Sequence, residues 1–288
     1  MGESQGIGSV IRFYETHPIN ERQIMAKLEA DAIALDGLTE DVLQDHDQDH
    51  FGGLEAVDVL ARKAGIGPRS HVLDVCSGMG GPARYLANRY GCRVTGLDIT
   101  ESRHEAALRL TRLVGLDHLV DFRLGDALDM SFAGATFDVV IGQEAWAHVP
   151  DKPRLIAECG RVVKPGGMIA FTDIVRRAAL SEQAANRLRR EMTFLTLETL
   201  DGYARLLEAA GCVVVEHEDL GDAWTEILRR RLEMYRSLES TTVERFGEEH
   251  FARWNDTYAF FVGLFGAGQL SGARLIARRI SKGQELPS

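Results

Sequence analysis

His71-Val-Leu-Asp-Val-Cys-Ser-Gly-Met-Gly-Gly-Pro-Ala-Arg-Tyr-Leu-Ala87 is the stretch whose reading decides the fold. Val72 to Val75 is a short apolar run carrying one acid, Asp74, and a glycine cluster stops it at once, so it reads as a buried strand rather than a helix. Gly78, Gly80 and Gly81 admit close backbone approach and dihedrals that a side chain forbids, and Pro82 suits the first turn of a helix continuing through Ala87. Strand, glycine turn and helix together make a cradle for a nucleotide-like cofactor. The glycines alone do not choose that cofactor, because Gly78-Met-Gly80-Gly-Pro-Ala83 also satisfies the dinucleotide fingerprint G-x-G-x-x-A.

Asp98 closes a second strand, Arg93-Val-Thr-Gly-Leu-Asp, about twenty residues beyond the glycines, where an acid meets ribose hydroxyls. NAD and S-adenosylmethionine both carry that ribose. Three further features separate them: the acid inside the first strand, Asp74; Gly125-Asp126-Ala127 after a third strand; and Lys164-Pro-Gly-Gly leading into an apolar strand that reaches Phe171. As a set they resemble the class I S-adenosylmethionine-dependent methyltransferases. The resemblance implies an α/β fold, a Rossmann-like doubly wound sheet, with S-adenosyl-L-methionine held by Asp74, Cys76, Gly78, Gly80, Asp98, Ile99, Asp126, Ala127 and Gln143. Cys76 stands where that family usually has its first glycine, so backbone approach is altered there.

The 288 residues are 45% hydrophobic, enough to bury a substantial core, and read as a soluble globular protein. With 33 basic against 43 acidic residues the formal charge is −10, which repels polyanions, and nucleic acid is not expected as a partner. Cys76, Cys92, Cys159 and Cys212 are scattered and read as reduced thiols of a cytoplasmic protein, with neither zinc nor a disulfide framework. No signal peptide and no run long enough to span a membrane are read. The expected partner is a small-molecule substrate, and the sequence does not give the oligomeric state.

Along the chain, residues 1–50 read as an N-terminal helical arm. Its first ten residues are small and polar and are expected to be mobile. Ile24, Leu28, Ala32 and Leu35 share a helical face, and His17-Pro18 and Gly37 interrupt the pattern. His46 and His50 have the spacing of a zinc motif, but Gly52-Gly53 breaks any helix that would carry both, so no metal is expected. Residues 51–221 read as the cofactor-binding core, with strands at 72–75, 93–97, 120–124, 137–141, 168–171 and 212–216 and a largely helical stretch from Val175 to Ala210, of which 176–200 is taken as a substrate segment. Residues 222–268, with Trp224, Leu228, Tyr235, Phe246, Trp254 and Phe261 at helical spacing, read as a helical insertion that roofs the site as a lid, and 269–288 as the last strand and tail.

The loop after the fourth strand, Gly142-Gln-Glu-Ala-Trp-Ala-His-Val-Pro-Asp-Lys152, should face the reacting end of the cofactor. It lacks the Asn/Asp-Pro-Pro-aromatic run of nucleic-acid amino-methyltransferases. Together with His50-Phe-Gly-Gly-Leu-Glu-Ala56 it resembles the sarcosine/dimethylglycine and phosphoethanolamine N-methyltransferases. That resemblance implies Glu144 and His148 in the substrate pocket and the cofactor carboxylate near His50. The tyrosine and arginine cluster that holds phosphate in the phosphoethanolamine enzymes is not matched between Arg187 and Tyr203.

An amine acceptor must lose a proton from an ammonium of pKa ~10, so His148 reads as the base and Glu144 as the group that attracts the ammonium. Trp146 reads as a ring facing a methylated cation, and Tyr14 as a second polar group from the arm. Arg176 and Arg177 read as solvated and not as site residues. The competing readings are carbon or oxygen methylation of a lipid-like or quinone-like acceptor under an apolar roof at Phe246–Phe261, a nicotinamide dehydrogenase, and a cofactor-binding protein without turnover.

Overall fold

The structure, a computed structural model, describes residues 2–281 except Thr16, Pro18 and Asp49. Pro18, half of the expected break in the arm, and the tail from Lys282 onward therefore lie outside the described residues. Four helices open the chain: α1 (Gly2–Glu15), α2 (Glu21–Ala30), α3 (Glu40–Asp47) and α4 (Gly53–Lys63). An alternating run follows: β1 (His71–Val75), α5 (Gly81–Tyr90), β2 (Arg93–Asp98), α6 (Glu101–Leu113), β3 (Val120–Leu124), β4 (Phe137–Gln143), α7 (Lys152–Val162) and β5 (Val163–Arg176). The chain ends with α8 (Glu182–Glu191), α9 (Leu200–Ala209), β6 (Cys212–Asp219), α10 (Gly221–Ser237), α11 (Glu239–Phe246), α12 (Glu248–Gly266) and β7 (Leu270–Arg279).

The strands form one sheet in the order β3-β2-β1-β4-β5-β7-β6. The pairs from β3 to β5 are parallel, and β7 runs antiparallel to both β5 and β6. Each strand residue points to the opposite face from its neighbour, so the two faces carry separate cores. Val72, Val94, Val139 and Ile141 pack under α4 and α5, while Leu73, Val75 and Val140 pack under α7 and α9. Strand order reverses between β1 and β4, which opens a crevice beyond their carboxyl ends. No described helix is long and apolar enough to cross a membrane.

Three readings of the sequence need correction. The first helix begins at Gly2, within the ten residues expected to be mobile; an added Cβ on Gly6 would meet Leu195 at 3.1 Å, so close packing rather than propensity supports it. The arm's apolar face stops early, because α2 ends at Ala30, Ala32 has φ 55° and Leu35 is 41% exposed; Ile24 and Leu28 alone of that set are buried, packed with Leu43 and with Met79 of the glycine turn. The stretch from Val175 to Ala210 is less helical than read: β5 extends to Arg176, and residues 192–199 carry no helix.

A buried charge cluster fixes the arm to the core. Arg84, fully buried on α5, pairs with Asp47 and with Glu40 at 3.2 Å, both on α3, and donates to the Met79 carbonyl at 2.7 Å. Burial raises the Glu40 carboxyl to about 8 against the opposing pull of Arg84. A carboxyl whose folded pKa is raised contributes stability that is full below its unfolded value and is lost as pH rises to the folded one. Glu40→Gln should therefore match the parent in acid and gain on it steadily up to about pH 8, a difference read from urea midpoints across that range.

Candidate active site

β1 delivers the chain into the turn through Cys76 (φ 64°), Gly78 (φ 55°) and Gly80 (φ 79°). A Cβ on Gly80 would sit 2.4 Å from the Phe122 ring, whereas one on Gly78 would meet nothing within 4 Å, so Gly78 presents bare backbone to open space. The Gly78 amide donates to Asp98 Oδ2 and the Thr100 amide to Asp98 Oδ1, each at 2.8 Å, which fixes that carboxylate at the end of β2. Burial raises its pKa. Ile99 follows it, half-buried, and Ala127 is buried in the loop after β3, where Asp126 Oδ1 accepts from the Leu128 amide at 2.9 Å.

Among the described residues, Asp74 Oδ2, Ser77 Oγ and both amide atoms of Gln143 are buried without a hydrogen-bond partner. Burial holds the Asp74 carboxyl at about 7. Buried polar atoms left unpaired cost free energy unless a ligand or water meets them. They lie at the carboxyl ends of β1 and β4, beside the open face of Gly78, and they suit a polar cofactor with an amino-acid end and a ribose. Cys76 takes a left-handed conformation that costs an L-residue roughly 1–2 kcal/mol. Cys76→Val, close in volume but branched at Cβ, should destabilise by about 1–2 kcal/mol where Cys76→Gly does not, a contrast that thermal unfolding resolves.

The loop after β4 is organised by Trp146, whose position overturns the role expected for it. The indole is fully buried over Gly142, stacks on Phe171 at 4.2 Å and donates to the Val75 carbonyl at 3.3 Å. It is part of the core and faces no cation. Glu144 also differs from expectation. At φ 51°, its Oε1 accepts from the Thr172 hydroxyl at 2.8 Å, and its Oε2 accepts from the Phe51 amide at 2.9 Å and lies 3.4 Å from His50 Nδ1. Its carboxylate thus ties the loop to the segment before α4. Arg231 of α10 donates to the His50 carbonyl at 2.8 Å, and the Phe51 ring meets Trp224 edge-on at 4.8 Å. His46 pairs with Asp31 at 2.9 Å, so the two histidines of the zinc-like spacing serve different partners.

His148 and Tyr14, 134 positions apart in the chain, meet: the phenol oxygen is 2.9 Å from His148 Nε2. His148 Nδ1 is 3.0 Å from both the Thr193 carbonyl and Thr193 Oγ1; the carbonyl can only accept and the hydroxyl is donated to the Met192 carbonyl at 2.7 Å, so Nδ1 carries the proton and Nε2 receives the Tyr14 hydroxyl. Burial lowers the imidazole to about 4, which keeps it neutral. Phe194 packs 5.2 Å from that ring, and the Arg103 guanidinium lies 5.2 Å over the Tyr14 ring. Sequence reasoning missed Thr193 and Arg103. Thr193, a β-branched residue at φ 53°, sits in a stretch read as helical, and Arg103 carries no motif. The cavity at Phe246 is about 150 Å³ and is walled by His17, Asn20, Arg22, Gln23, Arg245 and His250, small and polar rather than a wide apolar roof.

Residues 73–171 match the family described as "Methyltransferase domain". Over 222 residues the chain is 33% identical to a glycine/sarcosine/dimethylglycine N-methyltransferase of Actinopolyspora halophila, covering 76% of this chain and 39% of that one. It is 29% identical to a sarcosine/dimethylglycine N-methyltransferase of Halorhodospira halochloris, covering 74% and 79%. The chain thus spans about two fifths of the first relative's length and about four fifths of the second's. Among solved structures, a putative sarcosine dimethylglycine methyltransferase from Galdieria sulphuraria superposes with TM-score 0.73 at 21% identity, covering 85% of this chain and 92% of that one. The Haemonchus contortus phosphoethanolamine N-methyltransferase 2, solved with S-adenosyl-L-methionine, gives 0.76 at 19%, covering 94% and 60%. Residues 73–171 thus match a methyltransferase domain on the sheet that carries the glycine turn and Asp98, and the chain shares the fold of these solved methyltransferases.

Proposed function

We propose that this protein methylates the nitrogen of a small amine or amino acid, using S-adenosyl-L-methionine. The observation that carries the reading is the Tyr14–His148 contact, a neutral histidine with its Nε2 lone pair turned to a phenol at the carboxyl end of the sheet. The names of the relatives, glycine, sarcosine and dimethylglycine N-methyltransferases, point the same way.

The cofactor supplies, when bound, an electrophilic methyl group on a sulfonium. Asp98, the Gly78 backbone and the unpaired atoms of Asp74, Ser77 and Gln143 are the groups that would hold it. Tyr14 accepts a proton from the acceptor's ammonium as its own hydroxyl proton moves to His148 Nε2, leaving the nitrogen lone pair for displacement. An ammonium of pKa ~10 in water faces an imidazole at about 4; the histidine's value already includes its burial, whereas the ammonium's falls as it leaves water on binding, so the mismatch narrows. Glu144 acts through the His50–Phe51 segment, and α10 and α12 serve as the lid that keeps water out. Cys92, Cys159 and Cys212, buried free thiols, suit a reducing cytoplasm.

The test is incubation with methyl-labelled S-adenosylmethionine and a panel of glycine, sarcosine, dimethylglycine, ethanolamine, phosphoethanolamine and a hydroquinone, followed by mass. Label on nitrogen supports the reading. Label on oxygen or carbon alone, with every amine inert, overturns it in favour of a larger acceptor.

A further inference from the structure

We propose that Lys152 is a positioning residue for His148, a buried ammonium that locks the fourth-strand loop to residues 193–196 and so fixes the ring nitrogen that faces Tyr14. The proposal rests on reading His148 as the base.

Lys152 opens α7 directly behind that loop and is 3% exposed. An ammonium has three N–H donors and no acceptor. Lys152 Nζ lies 2.7 Å from the Val149 carbonyl, 3.1 Å from the Thr196 carbonyl and 2.6 Å from Thr196 Oγ1. Thr196 Oγ1 in turn donates to the Val149 carbonyl at 2.9 Å, so one cation and one hydroxyl join two segments 47 positions apart. The Leu195 amide adds a bond to the Ala147 carbonyl at 3.0 Å. None of the three oxygens around Nζ belongs to a carboxylate; Asp173 acts on the ammonium from beyond ion-pair distance, so the cost of removing the charge from water is only partly offset. That cost is understandable if the ammonium has a task that an apolar side chain of the same length cannot perform.

The task follows from what the two segments carry. The loop side carries His148, and the other side carries Thr193, whose carbonyl accepts from His148 Nδ1 at 3.0 Å. Thr193 holds a left-handed conformation unusual for a β-branched residue, so its carbonyl is aimed at the imidazole only while its neighbours are held. Release of Val149 from Thr196 would free Thr193 to relax, and His148 would lose the acceptor that keeps its proton on Nδ1.

Around the ammonium, β5 contributes Asp173, which accepts from the Tyr203 hydroxyl of α9 at 2.6 Å and the Ala147 amide at 3.1 Å. Cys76, Glu198 and Asp151 also act on it, and His17 acts on His148 from the arm. Burial lowers Lys152 to about 8, still charged at neutral pH, and its charge adds to the burial that keeps His148 neutral.

The experiment uses Lys152→Met, which keeps an unbranched side chain one atom shorter and removes its donors. Expected are a kcat about 100-fold below the parent, S-adenosylhomocysteine affinity within about two-fold, and ¹⁵N spectra in which His148 loses its single Nδ1-protonated tautomer. A kcat within about three-fold of the parent with the tautomer intact overturns the proposal. If Lys152→Met does not fold, Thr196→Val keeps the ammonium and removes one oxygen. It should lower kcat about 10-fold with the same change in the His148 spectrum, and no change in either overturns the proposal. The tautomer is read without turnover, so the outcomes separate. Activity lost in His148→Ala but kept in Lys152→Met removes Lys152 alone, whereas activity kept in His148→Ala removes the base reading beneath it.

Discussion

Replacement of His148 by alanine is expected to lower kcat for an amine acceptor by about 10²–10⁴-fold, the range a positioned base contributes, while S-adenosylhomocysteine binding stays near the parent's. On the proposed reading His148 acts through Nε2, which meets Tyr14, and the groups at the glycine turn, Gly78 and Asp98, engage each other and not the imidazole. Tyr14→Phe removes only the hydroxyl and keeps the ring that packs on Phe13 at 5.3 Å and under Arg103, so a loss of similar order there would isolate the proton path from the packing of the arm. The pH dependence has a definite sign. The imidazole must be neutral to accept a proton and burial holds it at about 4, so the acid limb of kcat/KM that belongs to His148 lies near pH 4 and not at the usual histidine value of about 6.5. Steady-state kinetics on both variants checks this, and kcat within about three-fold of the parent in His148→Ala would remove the base from the mechanism.

The second large effect is on stability. Arg84→Met should cost about 3–5 kcal/mol, the range for breaking a buried ion pair from one side. The side chain is fully buried and pairs with Asp47, and the Met79 carbonyl and the Thr111 hydroxyl, at 2.7 and 3.3 Å, would lose a donor. Methionine fills much of the space, so the loss measures the stranded carboxylate more than a cavity. Because α3 lies against the glycine turn, with Gln48 Nε2 2.8 Å from where a Gly81 Cβ would stand, cofactor affinity should fall together with the urea midpoint. A fall in neither would show that the arm is held by the apolar contacts of Ile24, Leu28 and Leu43 alone.

The parts of this protein that were readable from sequence are those whose cause is local. β1, β2 and β3 follow from short apolar runs cut by glycine or polar residues, and Val120–Leu124 coincides with the strand read there. β5 was read as four residues and extends over fourteen, since its far half exists through antiparallel pairing with β7, from Met168 opposite Arg278 to Arg176 opposite Leu270. No window of sequence announces a partner a hundred residues away.

The site divides in the same way. Gly78, Gly80 and Asp98 are legible because the backbone there demands them. Trp146 was misjudged because its burial depends on Gly142 beneath it and Phe171 beside it, and Glu144 because its carboxylate is claimed by Phe51 and Thr172. The contact of Tyr14 with His148 depends on where the first helix packs, which its glycine-containing sequence does not specify.

The most direct measurement is a crystal structure grown with S-adenosylhomocysteine and an unreactive amine. The expected result has adenosine ribose on Asp98, the Gly78 backbone against the ligand, and the amine nitrogen between the thioether sulfur and the Tyr14–His148 pair. An amine bound away from that pair, or a sulfur turned from the fourth-strand loop, would contradict the proposal that this protein methylates an amine.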